Sequence, residues 1–345
     1  FICLTYSGGS GVGELRFAGW DGLQFTGKAR DLIWVSIVDD KVGFHDAKDL
    51  RGKTTDETEF MLKTRDEAKS PLELRKRRVM TSADLPTITD ASGRKVSAWD
   101  WWNVRPNPEH AIGEKLLSKF WSIGPAGEKG AWHGCVVTEG PNVHGRLGAG
   151  AILGSKNVKA ISVRGTKGHK VKDKAKTLEL IRNTIAAMKL SSSNRTYGTA
   201  GIPPGANNRE DAYPIRNYQY MAWHDPRSVA SMAGSFLDEI SWVKHKNCCA
   251  IGCQICVKTA VVTSDDPQMD KTITDMPDWE AMGNVGGLLD CVITADQYPG
   301  RTPADPYIGT NWDKIESANR LLYLTAMFDA IGVDYIEGGA HIALM

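Results

Sequence analysis

The stretch "GRLGAGAILGSKNVKAI", Gly145–Ile161, carries the strongest signal about the fold. Glycine lets backbone N–H groups approach a large anionic ligand closely. Arg146 can add a forked, charge-assisted contact to a phosphate group. A tight turn between two strands would explain one or two of these glycines, but not the whole run. We therefore predict a glycine-rich anion-binding loop, followed by a strand at Val158–Val163.

The overall composition is that of an ordinary globular protein. The chain has 345 residues, of which 41% are apolar and 24% are charged, and this predicts about two domains with buried cores. The formal net charge of +1 implies no general attraction to nucleic acid or to membrane surfaces. No apolar run is long enough to span a bilayer, and no secretory signal pattern opens the sequence. We expect both ends to be cuts through a longer chain.

The hydrophobic pattern changes along the chain and predicts an α+β fold. Residues 1–168 are rich in strand and turn patterns, which favours a β-rich N-terminal domain. Within it, Leu32–Phe44 places β-rich flanks around Asp39 and Asp40, which is typical of a hairpin. Residues 169–345 favour a helical domain, because apolar residues recur there at spacings of three and four, as in Leu178, Ile181, Ile185 and Met188.

Two further helices are predicted in the second domain. Helical patterns cover Pro226–Val243 and Trp312–Ile331. Gly332 follows the second of them at the position where glycine commonly ends a helix.

Four of the seven cysteines crowd into "NCCAIGCQIC", Asn247–Cys256. Soft thiolates this close together in a glycine-containing loop are typical of an iron–sulfur cluster or of zinc. Zinc would need a second ligand pair at a defined distance, so it is the weaker interpretation. The spacing of Cys249, Cys253 and Cys256 also matches radical S-adenosylmethionine enzymes. An odd cysteine count with one tight cluster indicates a reducing compartment, and we expect a cytoplasmic protein.

Four other segments of the chain are as distinctive as the glycine-rich stretch. They are "SGGSGVGELRFAGWDGLQFTGKA" (Ser7–Ala29), "SIGPAGE" (Ser122–Glu128), "AYPIRNYQ" (Ala212–Gln219) and "DAIGVD" (Asp329–Asp334). Together with Gly145–Ile161, these motifs resemble those of the aldehyde:ferredoxin oxidoreductase family, whose members are tungsten bis-pterin enzymes. The resemblance touches most of the chain.

The resemblance implies a set of cofactors and their binding residues. It implies a tungsten bis-pyranopterin, with molybdenum as the alternative metal, a [4Fe–4S] cluster, and Mg²⁺ as an optional bridge between pterin phosphates. The β-rich domain would form a base under the pterin, and the helical domain would carry the cluster loop. The residues implied to contact pterin are Gly8, Gly9, Asn142, Val143, Gly145, Arg146, Leu147, Gly148, Asp329, Gly332 and Asp334.

The cluster motif departs from the family pattern, which is C-x2-C-x3-C with a distant fourth cysteine. Cys249 and Cys253 match its second and third positions, while the first falls on Lys246, whose ammonium group cannot ligate iron. Cys256 is our first choice for the third ligand. Cys248 is the second choice, because adjacent side chains of an extended chain point apart. His245 is a further alternative. We expect the fourth ligand outside this chain, or an open fourth iron.

Proton transfer must accompany the electron flow, and three residues are candidates for it. Glu280 lies in "MPDWEAMG", where the family has a glutamate near the metal. Glu139 and His144 form a second pair beside the glycine-rich loop, although ordinary turn polarity explains them equally well.

Three functions follow from these observations. The first is oxidation of an aldehyde to a carboxylic acid, with electrons passing through the cluster to ferredoxin or an iron–sulfur subunit of a homo- or hetero-oligomer. The second is reduction of an aromatic acyl-CoA in a larger electron-transfer complex, in which "RKRR" (Arg75–Arg78) and "WDWW" (Trp99–Trp102) would contact CoA. A solvated basic face and an aromatic anchor for a partner explain those two motifs without CoA. The third is a radical S-adenosylmethionine enzyme.

Replacing the four clustered cysteines one at a time by serine tests the ligand assignment. We expect Cys249→Ser, Cys253→Ser and Cys256→Ser each to lower iron content and the reduced-cluster EPR signal, because serine is a poorer ligand for cluster iron than a thiolate. An unchanged signal in both Cys249→Ser and Cys253→Ser would reject the site. Loss with Cys248→Ser but not with Cys256→Ser would make Cys248 the third ligand.

Overall fold

The structure is a computed structural model of the chain, and it divides into two compact units. The first comprises Phe1–Lys170 together with Asp329–Val333, and the second comprises Val171–Phe328 with Asp334–Met345. The residues that the structure describes are 4–64, 87–89, 95–97, 118–138, 142–168, 170–188, 197–202, 245–248, 256–262, 264, 266, 269, 272–282 and 311–344.

A six-stranded mixed sheet is the centre of the first unit. The strands of this unit are β1 (Ile33–Val38), β2 (Lys41–Asp46), β3 (Thr87–Thr89), β4 (Lys95–Ser97), β5 (Lys119–Ile123), β6 (Val136–Thr138), β7 (Asn142–His144) and β8 (Val158–Arg164). The six-stranded sheet has the order β2-β1-β8-β5-β6-β7, while β3 and β4 pair with each other. Within the six-stranded sheet, β1 and β8 are parallel and the other neighbouring pairs are antiparallel.

Helices accompany these strands, so the first unit is less purely β than the sequence pattern predicted. They are α1 (Gly11–Ala18), α2 (Thr55–Thr64), α3 (Pro125–Glu128) and α4 (Ala149–Ser155), with a 3-10 helix at Lys48–Leu50. Glycines occupy both helices that lie next to the predicted binding motifs, α1 and α4. Glycine is a weak helix former, which explains why their sequences predicted turns.

The central strands of the sheet are buried on both faces. Side chains alternate between the faces of a strand, and in β5 this places Trp121 and Ile123 in one core and Phe120 in the other. Helix α1 packs into the first core with Leu15, and α2 packs into the second with Met61. Both sides of the sheet are therefore covered, which makes it a rigid support for the loops at its ends.

Strands β1 and β2 form the hairpin that was predicted within Leu32–Phe44. Val38 pairs with Lys41, so Asp39 and Asp40 make a two-residue turn. The carboxylate of Asp39 accepts hydrogen bonds from the hydroxyl and the backbone N–H of Thr166, each 2.7 Å long. These hydrogen bonds lower the pKa of Asp39. They tie the turn to the chain that follows β8.

A register shift in β8 accommodates a buried cation. Ile33 pairs with Val158 and Trp34 pairs with Ala160, so Lys159 is an extra residue without a direct partner in β1. A bulge of this kind re-aims a side chain. The Lys159 ammonium group, whose side chain is 0% exposed, forms an ion pair with Glu128 and donates to the Lys53 carbonyl oxygen at 2.7 Å. Burial lowers the pKa of Lys159, while Glu128 opposes that shift.

Several glycines of the first unit lie where two backbones touch. A Cβ at Gly124 would be 2.2 Å from the Ile331 carbonyl oxygen, and one at Gly154 would be 2.0 Å from that of Gly127. A Cβ at Gly150 would be 2.3 Å from the Cys135 carbonyl oxygen. No side chain fits at such distances. These glycines therefore set how closely α3, α4 and the chain around residue 331 approach one another.

The second unit combines helices with a small antiparallel sheet. Its helices are α5 (Lys174–Met188), α6 (Trp279–Ala281), α7 (Asn311–Ile331) and α8 (Tyr335–Leu344), with a 3-10 helix at Gly198–Gly201. Its strands are β9 (His245–Cys248), β10 (Cys256–Val261) and β11 (Ile273–Asp275), in the order β11-β10-β9. Val262, Met269 and Leu322 form a buried apolar cluster, and the rings of Phe328 and Tyr335 lie 5.0 Å apart.

Of the three helices predicted for this unit, two are confirmed and the third lies outside the described residues. The one predicted from Leu178 to Met188 is confirmed as α5, although Leu178 is 52% exposed and Ile181 is 48% exposed. The one predicted at Trp312–Ile331 is confirmed as α7, and Gly332 follows it with a left-handed φ of 74°. The helix predicted at Pro226–Val243 lies outside the described residues.

We expect that replacing one member of the buried pair of Lys159 and Glu128 lowers the free energy of unfolding much more than replacing both members does. Glu128→Gln should lower the free energy of unfolding by about 3–5 kcal/mol, because it leaves a buried ammonium group without its counter-charge. The double variant Lys159→Met/Glu128→Gln should recover most of that loss.

Chemical denaturation monitored by circular dichroism measures these changes. Lys167→Met is the matched control, because Lys167 pairs with Asp40 at 3.6 Å on the surface. Its effect should be under about 1 kcal/mol. A double variant as unstable as Glu128→Gln alone would contradict the role assigned to the pair.

Candidate functional site

The glycine-rich stretch forms a loop between β7 and α4 at the edge of the sheet. Gly145 and Gly148 are buried, whereas the side chains of Arg146 and Leu147 between them are exposed. Leu147 has φ of 78° and Gly148 has φ of 72°, so two consecutive residues are left-handed. This conformation is uncommon for leucine. Backbone strain of this kind clusters at ligand sites, so the loop is a candidate for one.

The underside of this loop rests on the chain near Trp132. A Cβ at Gly148 would be 2.9 Å from the Trp132 carbonyl oxygen, so the loop lies directly on that peptide. The Trp132 side chain is 87% exposed and Ile152, one turn into α4, is 50% exposed. The loop therefore presents a guanidinium group next to exposed apolar side chains. This combination suits a ligand with anionic groups and a flat ring.

His144 ends β7 immediately before the loop. Its side chain is half-buried, and burial lowers the pKa of His144, while a hydrogen bond with the backbone of Thr5 opposes that shift. The imidazole is therefore neutral at pH 7 and able to accept a proton. Asn142 and Val143, the other predicted contacts in β7, are also half-buried.

The N-terminal glycines that were predicted to contact pterin are part of the same unit. Gly8 and Gly9 are half-buried, and Gly9 has a left-handed φ of 87°. The Ser7 hydroxyl donates to the Gly8 carbonyl oxygen at 3.1 Å. The contact between His144 and Thr5 brings this segment next to β7.

The "DAIGVD" motif joins the first unit through Gly332. The Cys135 N–H donates to the Gly332 carbonyl oxygen at 2.9 Å, and Gly134 pairs with Val333. On its other side, the Gly134 carbonyl oxygen accepts from the N–H of Gly150 in α4 at 2.9 Å. The structure thus connects Gly332 to the helix that follows the glycine-rich loop.

The two aspartates of this motif differ in their surroundings. Asp329 is 6% exposed, and its carbonyl oxygen accepts a 2.8 Å hydrogen bond from the Thr55 hydroxyl. Asp334 is 5% exposed, and its carboxylate accepts from the Glu337 N–H at 2.8 Å. Asp334 therefore caps the N-terminus of α8. This capping is the structural alternative to pterin binding, and it explains the residue by itself.

The cysteine loop is closed by a hairpin of the second unit. Cys248 ends β9, Cys256 begins β10, and the two residues are direct partners in the antiparallel ladder. Cys249 and Cys253 lie outside the described residues. Among the residues that are described, no three His, Cys, Asp or Glu side chains are placed to hold a metal ion. The assignment of the cluster ligands therefore stays a prediction.

Of the two remaining catalytic candidates, Glu280 and Glu139, the structure describes only Glu280. Glu280 is half-buried in α6, next to the fully buried Ala281 and Met282. The Asp278 carboxylate, just before α6, accepts a 2.7 Å hydrogen bond from the Thr199 hydroxyl. Glu139 lies outside the described residues.

Sequence reasoning missed the pairing of Lys159 with Glu128 and the exposed Trp132. Lys159 belongs to "GSKNVKAI" and Glu128 to "IGPAGE", so the two motifs are joined by an ion pair. A lysine inside an apolar strand pattern was the available signal, since lysine is almost never fully buried unless it is paired.

Comparisons with known proteins agree with these motifs in both units. The family model described as "Aldehyde ferredoxin oxidoreductase, N-terminal domain" matches residues 1–81 and 100–165. The model described as "Aldehyde ferredoxin oxidoreductase, domains 2 & 3" matches residues 176–345.

Curated relatives show the same similarity at moderate identity. The tungsten-containing aldehyde ferredoxin oxidoreductase of Pyrococcus horikoshii is 29% identical over 312 residues, covering 86% of this chain and 42% of the relative. The aliphatic sulfonate oxidoreductase WOR-like subunit of Pyrococcus furiosus is 24% identical over 328 residues, covering 94% of this chain and 42% of the relative. The chain thus spans less than half the length of these relatives.

A solved structure shares the fold. The BamBC active-site complex of benzoyl coenzyme A reductase, solved with 1,5-dienoyl-CoA, aligns with a TM-score of 0.50 and 17% identity. The alignment covers 95% of this chain and 48% of the other. At this identity the likeness concerns the fold alone, and it agrees with the predicted α+β class.

The fold and the loop define a class of proteins with a glycine-rich, arginine-bearing loop at the edge of a mixed sheet. The chain belongs to the aldehyde ferredoxin oxidoreductase family, which confirms the family predicted from the motifs. In the described parts of the chain, no helix combines the length and apolar character that crossing a bilayer requires.

Arg146→Gln tests the loop as a ligand site. We expect pterin content to fall about tenfold or more, because a charge-assisted hydrogen bond is lost, while the far-UV circular dichroism spectrum stays that of a folded protein. Pterin is measured by fluorescence after oxidative release. Arg30→Gln is the matched control, since the Arg30 side chain is 96% exposed in the same unit. Full pterin content in Arg146→Gln would contradict the assignment.

Proposed function

We propose that this chain is the pterin-binding and cluster-binding part of an oxidoreductase that oxidises an aldehyde to a carboxylic acid. The observation that carries the proposal is the match of family models to both units, together with a loop suited to anionic groups. Electrons would leave through a [4Fe–4S] cluster to ferredoxin or to an iron–sulfur subunit, in the cytoplasm.

The residues of the loop fit a pterin with its phosphate. Arg146 is exposed and its guanidinium group can pair with a phosphate, and the left-handed φ of Leu147 is the kind of backbone strain that clusters at ligand sites. Asn142, Val143, Gly145, Gly8 and Gly9 would complete the contacts, with Asp329, Gly332 and Asp334 from the second motif. Mg²⁺ between the phosphates is part of the proposal.

When bound, the tungsten pterin, or its molybdenum equivalent, supplies a two-electron acceptor next to the substrate. His144 is our choice for the proton acceptor, because its lowered pKa keeps the imidazole neutral at pH 7. The hydrogen bond with Thr5 fixes this side chain beside the loop. Glu280 and Glu139 are the other candidate acid–base groups.

The cysteine hairpin is proposed to hold the cluster. Cys248 and Cys256 are opposite one another at the base of the loop that contains Cys249 and Cys253. Such a closed loop suits a compact cluster better than an extended chain would. Membership in this family favours a pterin–cluster pair over the radical S-adenosylmethionine alternative, in which the cysteines would act without pterin.

A second candidate function is reduction of an aromatic acyl-CoA in a larger complex. The observation that favours it is the sequence pair "RKRR" and "WDWW", which offers phosphate and adenine contacts. Both motifs lie outside the described residues. Aldehyde oxidation stays first because the named relatives with 29% identity are aldehyde oxidoreductases.

Elemental analysis and turnover of the anaerobically purified full-length protein test these proposals. We expect tungsten, pterin and iron to be present, and aldehyde-dependent reduction of an artificial dye. Aromatic acyl-CoA in place of the aldehyde is the second arm. Iron without tungsten, molybdenum or pterin would contradict both candidates, and turnover of the acyl-CoA alone would replace the first by the second.

The pH dependence of turnover tests His144. A group whose pKa is lowered in the folded protein stays unprotonated until the pH falls below the ordinary value near 6.5. The value of kcat/KM should therefore be constant near neutrality and fall only at lower pH. His144→Gln should reduce kcat/KM about 100-fold and remove this acid limb. An acid limb that persists in His144→Gln would assign it to another group.

A further inference from the structure

A pocket of about 290 Å³ lies on the face of the sheet that α2 covers. Helix α4, which follows the glycine-rich loop, packs its Leu153 into the core on the other face. The pocket is therefore separate from the proposed pterin site. Its volume is at the lower end of the range for small-molecule sites in proteins, so it suits a compact ligand.

The floor of the pocket is apolar. Leu50, Met61 and Leu62 line it, and their side chains belong to the buried core on this face of the sheet, with exposed fractions of 2%, 9% and 8%. This floor is rigid because the same side chains pack against the sheet from within the core. A ligand that enters the pocket must therefore bring an apolar surface.

One wall of the pocket is a preformed pair of rings. Trp34 and His45 stack with ring centroids 4.1 Å apart and planes inclined by 20°. The imidazole Nε2 and the Ser36 hydroxyl are 2.7 Å apart. A Cβ at Gly43 would be 2.7 Å from the Ser36 hydroxyl, so a glycine here leaves room for this arrangement. The wall is therefore fixed before any ligand enters.

Two carboxylates complete the lining. Asp46 accepts a 2.8 Å hydrogen bond from the Lys48 backbone N–H, which lowers the pKa of Asp46 and keeps it charged at neutral pH. Its other oxygen lies 3.4 Å from the Lys48 ammonium group. Asp49 is exposed and makes no hydrogen bond or ion pair with any residue that the structure describes. One negative charge of the pocket is thus available to a ligand.

We propose that this pocket binds a small organic cation, namely an ammonium or guanidinium group carried on an aromatic or aliphatic body. The apolar body would lie on Leu50, Met61 and Leu62 beside the Trp34 ring, and the cationic group would pair with Asp49. A bare metal ion is disfavoured, because His45, Asp46 and Asp49 do not form a group placed to hold one. The site is independent of the pterin loop and of the reaction proposed there.

Tryptamine is a suitable probe, since it joins an ammonium group to a flat apolar ring. The protein labelled with [¹³C-methyl]methionine is titrated with tryptamine, and the Met61 methyl resonance, assigned with Met61→Leu, reports on the pocket directly. We expect a saturable shift of this resonance. Tryptophol, the neutral alcohol of the same shape, should bind several-fold more weakly, because it cannot form the ion pair.

The variant Asp49→Asn tests the contribution of the Asp49 charge to binding, because it removes that charge and nearly keeps the shape of the side chain. We expect it to weaken tryptamine binding about two- to fivefold, as for an exposed ion pair. Asp40→Asn is the matched control, because the Asp40 side chain is 80% exposed at the turn of the same hairpin and should have no effect. Unchanged unfolding midpoints show that both variants fold. An unmoved Met61 resonance, equal affinity for tryptophol, or equal loss in the two variants would each overturn the proposal.

Discussion

The contact on which the first unit depends is the one between two backbones at Gly124 and Ile331. A Cβ at Gly124 would lie 2.2 Å from the Ile331 carbonyl oxygen, so the turn after β5 and the end of α7 approach as closely as peptides can. The hydrogen bond from the Cys135 N–H to the Gly332 carbonyl oxygen continues this contact along the chain. Two motifs more than 200 residues apart in sequence are thereby packed against each other.

The glycines of the family motifs divide into two groups by what their missing side chain allows. Gly124, Gly150 and Gly154 allow backbone segments to touch each other, and their replacement would push α3 and α4 away from their neighbours. Gly148 also touches a backbone, that of Trp132, but it differs in having a left-handed φ of 72° directly after a left-handed leucine. The sequence assigned the ligand role to Gly145–Gly148, and that role stays a prediction. Gly150 and Gly154, later in the same run, serve packing in the structure.

Short sequence patterns correctly predicted those elements that neighbouring residues determine by themselves. The hairpin around Asp39 and Asp40, the strand at Val158 and the helix that ends at Gly332 follow from alternation, turn residues and a glycine stop. The ion pair of Lys159 with Glu128 could not be predicted in this way, because it depends on a register shift between β1 and β8. The cap that Asp334 provides to α8 has a local signal, but the motif assigned this residue to the ligand.

Strain at the loop is tolerable because its support is rigid. A leucine with φ of 78° costs on the order of 1–3 kcal/mol and persists only where the surroundings determine it. Here β7 anchors one side of the loop, and on the other α4 is locked by Gly150 against Cys135. The buried pair of Lys159 and Glu128 holds α3 in turn against β8. Stability elsewhere in the unit therefore maintains a loop whose own conformation is unfavourable, and a ligand at Arg146 would meet a surface that does not have to rearrange.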